Sequence, residues 1–198
     1  MSADEPPDLY VVAGPNGSGK STLIQALHSR LALPVIDPDA LALELRPQAR
    51  EQAAISAARL ALRQQQAFLA RRTGFILETT LSGNHILHLM DQARQRGFSI
   101  HMVFVCVDTV EGNIARITER VARGGHYVPD GDVRRRYERS LPNLPAALAL
   151  ADDAQIFDNS TVQGPREVAT WRAGAIVGCA GDLPTWVTTA LAALLPKS

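Results

Sequence analysis

The chain has 198 residues, of which 46% are hydrophobic and 20% are charged, so it is long enough for one folded domain with a sizeable core. Its 20 basic and 20 acidic residues balance, and a neutral chain lacks the basic field of a protein that coats nucleic acid. Two cysteines are too few for a disulfide framework, and no apolar run approaches the roughly 18 residues of a membrane span. We therefore expect a cytoplasmic protein with neither a nucleic acid nor a membrane as partner.

Hydrophobic periodicity predicts strands that alternate with helices along most of the chain. Strands are predicted at residues 9–14, 33–37, 74–80, 98–108 and 154–160. Helices are predicted at residues 21–31, 39–72 with a break near Pro47, 84–95, 111–123 and 132–140. This rhythm predicts a three-layer α/β fold with a five-stranded, mostly parallel central sheet and helices on both faces. Beyond residue 165 the pattern is weaker, with a short hairpin near residues 166–178 and a last helix at 183–195.

A glycine-rich segment between the first strand and the first helix matches G-x-x-x-x-G-K-[ST] in full. Glycines let successive backbone N–H groups wrap a phosphate, and the following helix adds the positive end of its dipole. Lys20 supplies a compact charge for the β- and γ-phosphates, which explains the only lysine besides Lys197. The Ser21 hydroxyl can bind Mg²⁺. The predicted nucleotide-binding residues are Gly14, Pro15, Asn16, Gly17, Ser18, Gly19, Lys20, Ser21 and Thr22.

The segment at residues 14–21 is a P-loop, and other motifs indicate which class of P-loop protein this is. The guanine-specific N-K-x-D motif of GTPases and the L-S-G-G-Q signature of transporter-type ATPases are both missing from the sequence. A small-molecule kinase remains, and it needs a carboxylate for the acceptor hydroxyl, a pocket for the acceptor and arginines for the developing charge. We predict that ATP is the co-substrate and Mg²⁺ the cofactor.

Two acidic motifs follow predicted strands at the edge where the P-loop opens. In Asp37-Pro38-Asp39 we favour Asp39 as the general base and Asp37 as a helix N-cap, although Asp39 could itself be the cap. Glu78, Thr79 and Thr80 suit a polyhydroxylated acceptor or the shell of a metal, and a capped, solvated strand end is the alternative. The predicted substrate-binding residues are Asp39, Glu78, Thr79 and Thr80.

Residues 116–139 hold seven of the 18 arginines and four acidic residues. Arg116, Arg120 and Arg123 are spaced for one helical face, and Gly124-Gly125 follows them as a hinge that suits a closing lid. We predict that Arg120 and Arg123 are catalytic, together with Asp39 and Lys20. The alternative is a solvated face of charged side chains.

The ordered set of these motifs resembles the zeta toxin family of P-loop kinases. It consists of AGPNGSGKST, DPD after the second strand, ETTLSG after the third, RVARGGHYVP with RRRYERSL, and DNS on the fifth. The resemblance implies a P-loop kinase domain at residues 1–165, with residues 166–198 as an appendage packed on it. It also implies Asp39 as the base, Lys20 and Glu78 as site residues, and Arg120 with a second arginine for which we choose Arg123.

The family resemblance further implies an acceptor and a partner. Its best-known members phosphorylate the 3′-hydroxyl of the sugar in UDP-N-acetylglucosamine, and a small helical antitoxin blocks their ATP site. We therefore predict an ATP-dependent kinase of a small-molecule hydroxyl, with this nucleotide sugar as first acceptor and an antitoxin as a partner. The alternatives are a kinase of another sugar or nucleotide-like metabolite, and a regulatory ATPase switch that phosphorylates no acceptor.

Overall fold

Strands and helices alternate along the chain in the order that the periodicity predicts. The computed structural model describes residues 5–45, 50–125 and 127–195, so Pro47 and Lys197 lie outside the described residues. The strands are β1 (Asp8–Ala13), β2 (Val35–Ile36), β3 (Phe75–Thr79), β4 (Ser99–Cys106), β5 (Asp153–Asp158), β6 (Arg166–Arg172) and β7 (Ala175–Cys179). The helices are α1 (Lys20–Leu31), α2 (Pro38–Leu45), α3 (Arg50–Arg71), α4 (His85–Gln95), α5 (Val110–Ala122), α6 (Asp130–Leu150) and α7 (Thr185–Ala190).

One mixed sheet organises the described part of the chain, in the strand order β2-β3-β1-β4-β5-β6-β7. The first five of these strands pair in parallel, with Tyr10 of β1 opposite Ile76 on one side and His101 on the other. Helices cover both sides of the sheet, as right-handed crossovers between parallel strands require. The predicted three-layer α/β class is therefore confirmed.

The sheet has seven strands where the sequence predicted five. The predicted hairpin forms, but β6 pairs antiparallel with β5 and so extends the central sheet. Val168, Ala169 and Trp171 of β6 are buried, which ties the hairpin to the main core. Periodicity identifies a strand but not its partner, so the sequence did not show that these strands join the sheet. The last helix is shorter than predicted and is α7.

Helix α6 is much longer than the predicted helix at residues 132–140, and it continues through Pro142 and Pro145. Each proline lacks the N–H that a helix interior needs, at a cost of about 3 kcal/mol. Leu144, between the two prolines, and Leu148, beyond them, are buried, and burying each leucine stabilises the fold by about 1.5–3 kcal/mol. Burial in the main core therefore offsets much of the local cost. A short stretch of sequence does not show this burial, because it depends on residues far away in the chain.

The parallel strands bring their carboxyl ends to one edge of the sheet. The P-loop follows β1, Asp37 follows β2, Glu78 lies near the end of β3, and Asn159 follows β5. A crevice outside this edge is where open α/β sheets bind ligands. None of the described helices is long and apolar enough to cross a membrane.

Candidate active site

The P-loop is a tight connection whose glycines adopt conformations that other residues disfavour. Gly14 has φ of +145°, and a Cβ added there would lie 2.0 Å from the carbonyl oxygen of Val105. Gly19 has φ of +104° and is the N-cap of α1, where no side chain accepts a hydrogen bond from the first turn. The first-turn N–H groups of α1 are therefore available to a phosphate, and Gly19, Lys20, Ser21 and Thr22 all line a cavity.

Lys20 is buried and points back toward the loop that precedes it. Its Nζ donates a hydrogen bond to the carbonyl oxygen of Pro15 at 3.0 Å and lies 3.5 Å from Oε1 of Glu78. Burial lowers the pKa of Lys20, and the negative charges of Glu78 and Asp39 oppose that shift. An anion entering the cavity would also stabilise the charged ammonium, because an opposite charge nearby offsets the cost of burying the lysine.

Burial raises the pKa of Glu78 to about 7, against the opposing effect of Lys20. The nearby carboxylates of Asp37 and Asp39 raise that pKa further. Three carboxyl groups thus converge beside one lysine, and burial, with like-charge repulsion as the smaller cause, favours the protonated form of Glu78.

The two aspartates after β2 have different local roles. Oδ1 of Asp37 accepts hydrogen bonds from the backbone N–H groups of Asp39 at 2.8 Å and Ala40 at 3.2 Å. Asp37 is therefore the N-cap of α2, with Pro38 in the first helical position that proline favours. Asp39 lies in the first turn of α2, is exposed and lines the cavity.

One cavity of about 420 Å³ collects most of the predicted site. P-loop groups, the carboxylates after β2 and on β3, and two arginines of α5 all line it. It can therefore hold a phosphate chain beside a carboxylate. The lining residues are Asn16, Gly17, Gly19, Lys20, Ser21, Thr22, Asp37, Asp39, Ala40, Leu43, Glu78, Arg116 and Arg120.

Thr79 and Thr80 are not among the residues that line this cavity. Oγ1 of Thr79 accepts a hydrogen bond from the N–H of Leu81 at 3.1 Å, and Oγ1 of Thr80 lies 2.8 Å from Oγ of Ser82. Both hydroxyls therefore shape the turn after β3. Glu78 reaches the cavity alone among the three predicted substrate-binding residues of this motif.

The seven arginines of residues 116–139 divide into several groups. Arg116 and Arg120 line the cavity. Arg123 lies outside the cavity lining with 75% of its side chain exposed, and its Nη2 is 2.5 Å from Oε1 of Glu119. Arg123 is the C-cap of α5, which ends at Ala122, and its guanidinium lies on Glu119 of the preceding turn rather than in the cavity lining. Two further arginines form exposed ion pairs, Arg134 with Glu111 and Arg135 with Asp132.

Arg136 is a site residue that sequence reasoning did not select. Its Nη1 donates a hydrogen bond to Oδ1 of Asn16 in the P-loop at 3.0 Å, across 120 residues of sequence. Tyr137, the next residue, donates to the carbonyl oxygens of Val107 and Asp108, which fixes α6 against the end of β4. Position in a basic run was the only signal, and it does not distinguish Arg136 from its neighbours.

A second, open cavity of about 430 Å³ lies between α6 and the turn that leads into α4. Arg139 contributes a guanidinium, and Asn84 and Asn143 contribute amides. Asn84 is the N-cap of α4, and its side chain forms no capping hydrogen bond. Polar groups that suit an anionic or hydroxylated molecule are thus present here. The lining residues are Ser82, Gly83, Asn84, Glu138, Arg139, Pro142 and Asn143.

The donor set of the site fits a nucleotide-bound magnesium ion better than an ion held by the protein alone. Within residues 5–45, 50–125 and 127–195, no group of three or more His, Cys, Asp or Glu side chains could hold a metal ion. Mg²⁺ in phosphoryl-transfer sites is held by one or two protein groups together with phosphates and water. The Ser21 hydroxyl, at the start of α1 and on the cavity wall, is in the right place for that arrangement.

Five parallel strands in a mixed sheet, a P-loop between β1 and α1, and a cavity at the carboxyl edge define a P-loop nucleotide-binding protein with a kinase-like fold. The family AAA_33, described as an AAA domain, matches residues 9–141, and the chain belongs to this family. A relative from Haemophilus influenzae, described as an uncharacterized protein, is 40% identical over 124 residues. The alignment covers 63% of this chain and 88% of the relative.

Several solved structures share the fold at low sequence identity. A chain of the AvrRxo1-ORF1:AvrRxo1-ORF2 complex, determined with sulphate ions, has a TM-score of 0.70 at 16% identity over 88% of this chain. This chain spans only 61% of that chain, which was also determined with ATP. A chain of the PezAT toxin-antitoxin system of Streptococcus pneumoniae has a TM-score of 0.59 at 15% identity, and the match covers 98% of this chain and 80% of that chain. A candidate kinase from Chloroflexus aurantiacus has a TM-score of 0.54 at 20% identity, and the match covers 69% of this chain and 78% of that chain.

Proposed function

We propose that the protein is an ATP-dependent phosphotransferase that moves the γ-phosphate to a hydroxyl of a small molecule. The observation that carries this proposal is one cavity lined both by P-loop groups, Lys20 and Ser21, and by the carboxylates Asp39 and Glu78. A nucleotide-binding loop alone would serve many functions. A carboxylate facing the same space as the phosphate-binding groups is what a kinase needs to act on an acceptor.

The phosphate chain of ATP would lie on residues 14–22. Backbone N–H groups at the start of α1 would bind phosphate oxygens, and Lys20 would turn from the carbonyl of Pro15 toward the β- and γ-phosphates. Magnesium, held by Ser21 and the phosphates, would neutralise charge on the β- and γ-oxygens. Arg136 would hold Asn16, and with it the outer part of the loop, in place.

Asp39 would act as the general base. Its carboxylate accepts the proton of the acceptor hydroxyl while that oxygen forms a bond to the γ-phosphorus. The bond from the γ-phosphorus to the bridging oxygen breaks, and ADP leaves with that oxygen. Asp39 is suited to this task because Asp37 caps α2, which leaves the Asp39 carboxylate to the cavity.

Arginines would stabilise the charge on the transferring group. The sequence assigns this role to Arg120 and Arg123. The cavity lining supports Arg120 and favours Arg116 as its companion, since Arg123 is paired with Glu119 outside the lining. A closing movement at Gly124-Gly125 is the way in which Arg123 would still join the site.

The second cavity is our proposed site for the part of the acceptor remote from the reacting hydroxyl. Ser82 is four positions after Glu78 in the sequence, so the two Cα atoms lie within about 14 Å of each other. Arg139 would bind an anionic group of the acceptor there. UDP-N-acetylglucosamine, which the zeta toxin resemblance implies, has such a group and is the first acceptor to test. Thr79 and Thr80 would shape the turn between the two cavities.

An antitoxin is the proposed protein partner. Support comes from the fold shared with chains of a toxin-antitoxin system and of the AvrRxo1-ORF1:AvrRxo1-ORF2 complex. Coexpression with the product of a neighbouring small gene, followed by copurification and an ATP-binding assay, tests this partner.

The experiment that tests the enzyme combines mass spectrometry with two matched variants. Purified protein, ATP and Mg²⁺ are incubated with UDP-N-acetylglucosamine or with a metabolite extract, and new phosphorylated species are identified. Asp39→Asn should lower transfer by at least about 10²-fold while ATP still binds. Glu44→Gln removes an exposed carboxylate from the same helix and should leave transfer unchanged. ATP hydrolysis without any phosphorylated acceptor would support a regulatory ATPase instead.

A further inference from the structure

The C-terminal hairpin and α7 lie beyond residue 141, where the family match ends, yet they connect to the phosphate-binding loop. The connection runs through residues 158–160, at the carboxyl end of β5. These residues, Asp158, Asn159 and Ser160, lie outside the lining of the nucleotide cavity.

Asn159 holds the P-loop directly. Its Nδ2 donates a hydrogen bond to the carbonyl oxygen of Ser18 at 2.8 Å, and its own N–H donates to the carbonyl oxygen of Cys106 at 2.8 Å. A carbonyl oxygen can only accept, so the amide nitrogen is the group that must face Ser18. The Asn159 amide also lies where a Cβ on Gly19 would be 2.5 Å away.

This hydrogen bond fixes the direction of a phosphate-binding group. In a planar trans peptide the C=O of one residue and the N–H of the next point in opposite directions. With the carbonyl of Ser18 held by Asn159, the N–H of Gly19 must point away from Asn159. Gly19 lines the nucleotide cavity, so Asn159 determines how one N–H of the cradle is presented there.

Asp158, which precedes Asn159, is itself held by the C-terminal helix. It is buried, and its Oδ1 accepts hydrogen bonds from Nε1 of Trp186 at 3.0 Å and from Oγ of Ser160 at 2.6 Å. Trp186 lies in α7, is buried in the main core and contacts the ring of Phe104 at a centroid distance of 5.8 Å. Because a buried carboxylate must keep its hydrogen bonds, the indole N–H restrains the backbone at the end of β5.

We propose that Asn159 is a positioning residue of the phosphate cradle and that Trp186, acting through Asp158, sets its position. The C-terminal segment is then part of the nucleotide site. The proposal rests on nucleotide binding by the P-loop, which is one part of the proposed function, and is independent of phosphoryl transfer and of the acceptor.

The test measures binding of two probes, ATP and tripolyphosphate, each with Mg²⁺, by titration calorimetry. Asn159→Asp keeps the shape of the side chain and removes the donor, but it adds a negative charge that repels both anionic probes. Asn159→Ala removes the donor without adding a charge, so it is the variant that isolates the hydrogen bond. Both variants should weaken the two probes by the same factor of at least about ten, because the N–H of Gly19 would lose its direction toward a phosphate oxygen and hydrogen bonds to charged groups carry that much. An equal loss of affinity for the two probes assigns the effect to the phosphate cradle and not to contacts with the adenine base of ATP.

Trp186→Phe tests the C-terminal part, and the chain offers a matched control. The only other tryptophan, Trp171, is equally buried in the core, and its indole nitrogen has no hydrogen-bond partner among the described residues. Trp186→Phe should weaken both probes by about threefold or more, whereas Trp171→Phe should leave them within twofold. Thermal unfolding checks that the two variants lose comparable stability.

Two results would overturn the proposal. Wild-type affinity of Asn159→Ala for both probes would show that the cradle does not need this hydrogen bond. Equal affinities for Trp186→Phe and Trp171→Phe would remove the link to α7. A wild-type protein that binds ATP but phosphorylates no acceptor would contradict the proposed kinase, yet the expected losses in these variants would still support the positioning role.

Discussion

Nζ of Lys20 lies 3.5 Å from Oε1 of Glu78, and both side chains are largely buried, with 5% and 16% of their surface exposed. Burial moves both groups toward their neutral forms, because it lowers the pKa of the lysine and raises the pKa of the glutamate. Burial therefore disfavours the charged form of Lys20, and the negative charge of an incoming phosphate would favour it again. A buried ion pair of this kind adds little to stability and is better explained by binding.

Lys20→Met should separate binding from folding. We expect the affinity for ATP to fall by at least about tenfold, since charge-assisted hydrogen bonds to the phosphates are lost. At pH 6 we expect the melting temperature to change little, because burial raises the pKa of Glu78 and the loss of Lys20 raises it further, so that Glu78 is protonated and no uncompensated buried charge remains. Calorimetric titration and thermal unfolding of the same preparations measure the two effects, and a large fall in melting temperature would contradict the interpretation.

Glu78 should make stability depend on pH in the acid range. Its pKa rises from 4.5 in the unfolded chain to about 7 in the folded protein. Between these values the folded state keeps a proton that the unfolded state has released, so the free energy of unfolding falls as pH rises. The contribution that is lost by pH 7 is about 3 kcal/mol at most.

Glu78→Gln should therefore flatten this part of the profile. Urea unfolding of the wild type and the variant from pH 4 to pH 8 measures the difference between them. The difference should change in favour of the variant across the window from about 4.5 to about 7. Parallel profiles would mean that Glu78 ionises in the folded protein as it does in water.

Asp37 should matter for stability through its cap. Asp37→Ala should lower the free energy of unfolding by about 1 kcal/mol, whereas Asp37→Asn, which also caps helices well, should stay within a few tenths. Measurement at pH 5 keeps Glu78 protonated, so that relief of like-charge repulsion does not mask the effect. Equal losses in the two variants would show that the charge, and not the cap, is what α2 needs.

The arginines of α5 give a direct comparison of the two assignments. Arg116→Ala and Arg120→Ala should each lower the rate of phosphoryl transfer by at least about tenfold, because both line the cavity. Arg123→Ala should change it less than about twofold if its exposed pair with Glu119 persists during turnover. A large effect of Arg123→Ala would instead indicate that the hinge at Gly124-Gly125 closes over the nucleotide.

Arg139 should affect the acceptor and not the nucleotide. Arg139→Ala should raise the KM for an anionic acceptor such as UDP-N-acetylglucosamine by about tenfold and leave the KM for ATP unchanged. Arg135→Ala is the control, since Arg135 lies on the same helix and is paired with Asp132 at 2.8 Å. An equal change in both KM values would contradict the assignment of the second cavity to the acceptor.

Local sequence was enough for much of the fold and for the centre of the site. The P-loop and the acidic motifs at the ends of β2 and β3 are each encoded in a short run of consecutive residues. The order of the strands and helices follows from the hydrophobic pattern of one element after another. Such features depend on backbone geometry and on alternation along one element, which a sequence shows directly. The preference for Asp37 as the cap was of this kind, because an N-cap is a contact over two or three residues.

The tertiary structure decided what depends on partners far apart in the chain. It joined β6 and β7 to the sheet, carried α6 through two prolines by burying its end, and separated Arg123 from Arg116 and Arg120. It also brought Arg136 to Asn16 and Asn159 to Ser18.

By itself, then, the sequence determined the α/β fold class, and it predicts that a neutral, almost lysine-free chain keeps Lys20 for a phosphate cradle. Only the tertiary structure decided which arginines and which asparagine support that cradle. The physical reason is that these contacts arise where separate elements pack together, and the energy of packing across more than a hundred residues leaves no periodic trace in the chain.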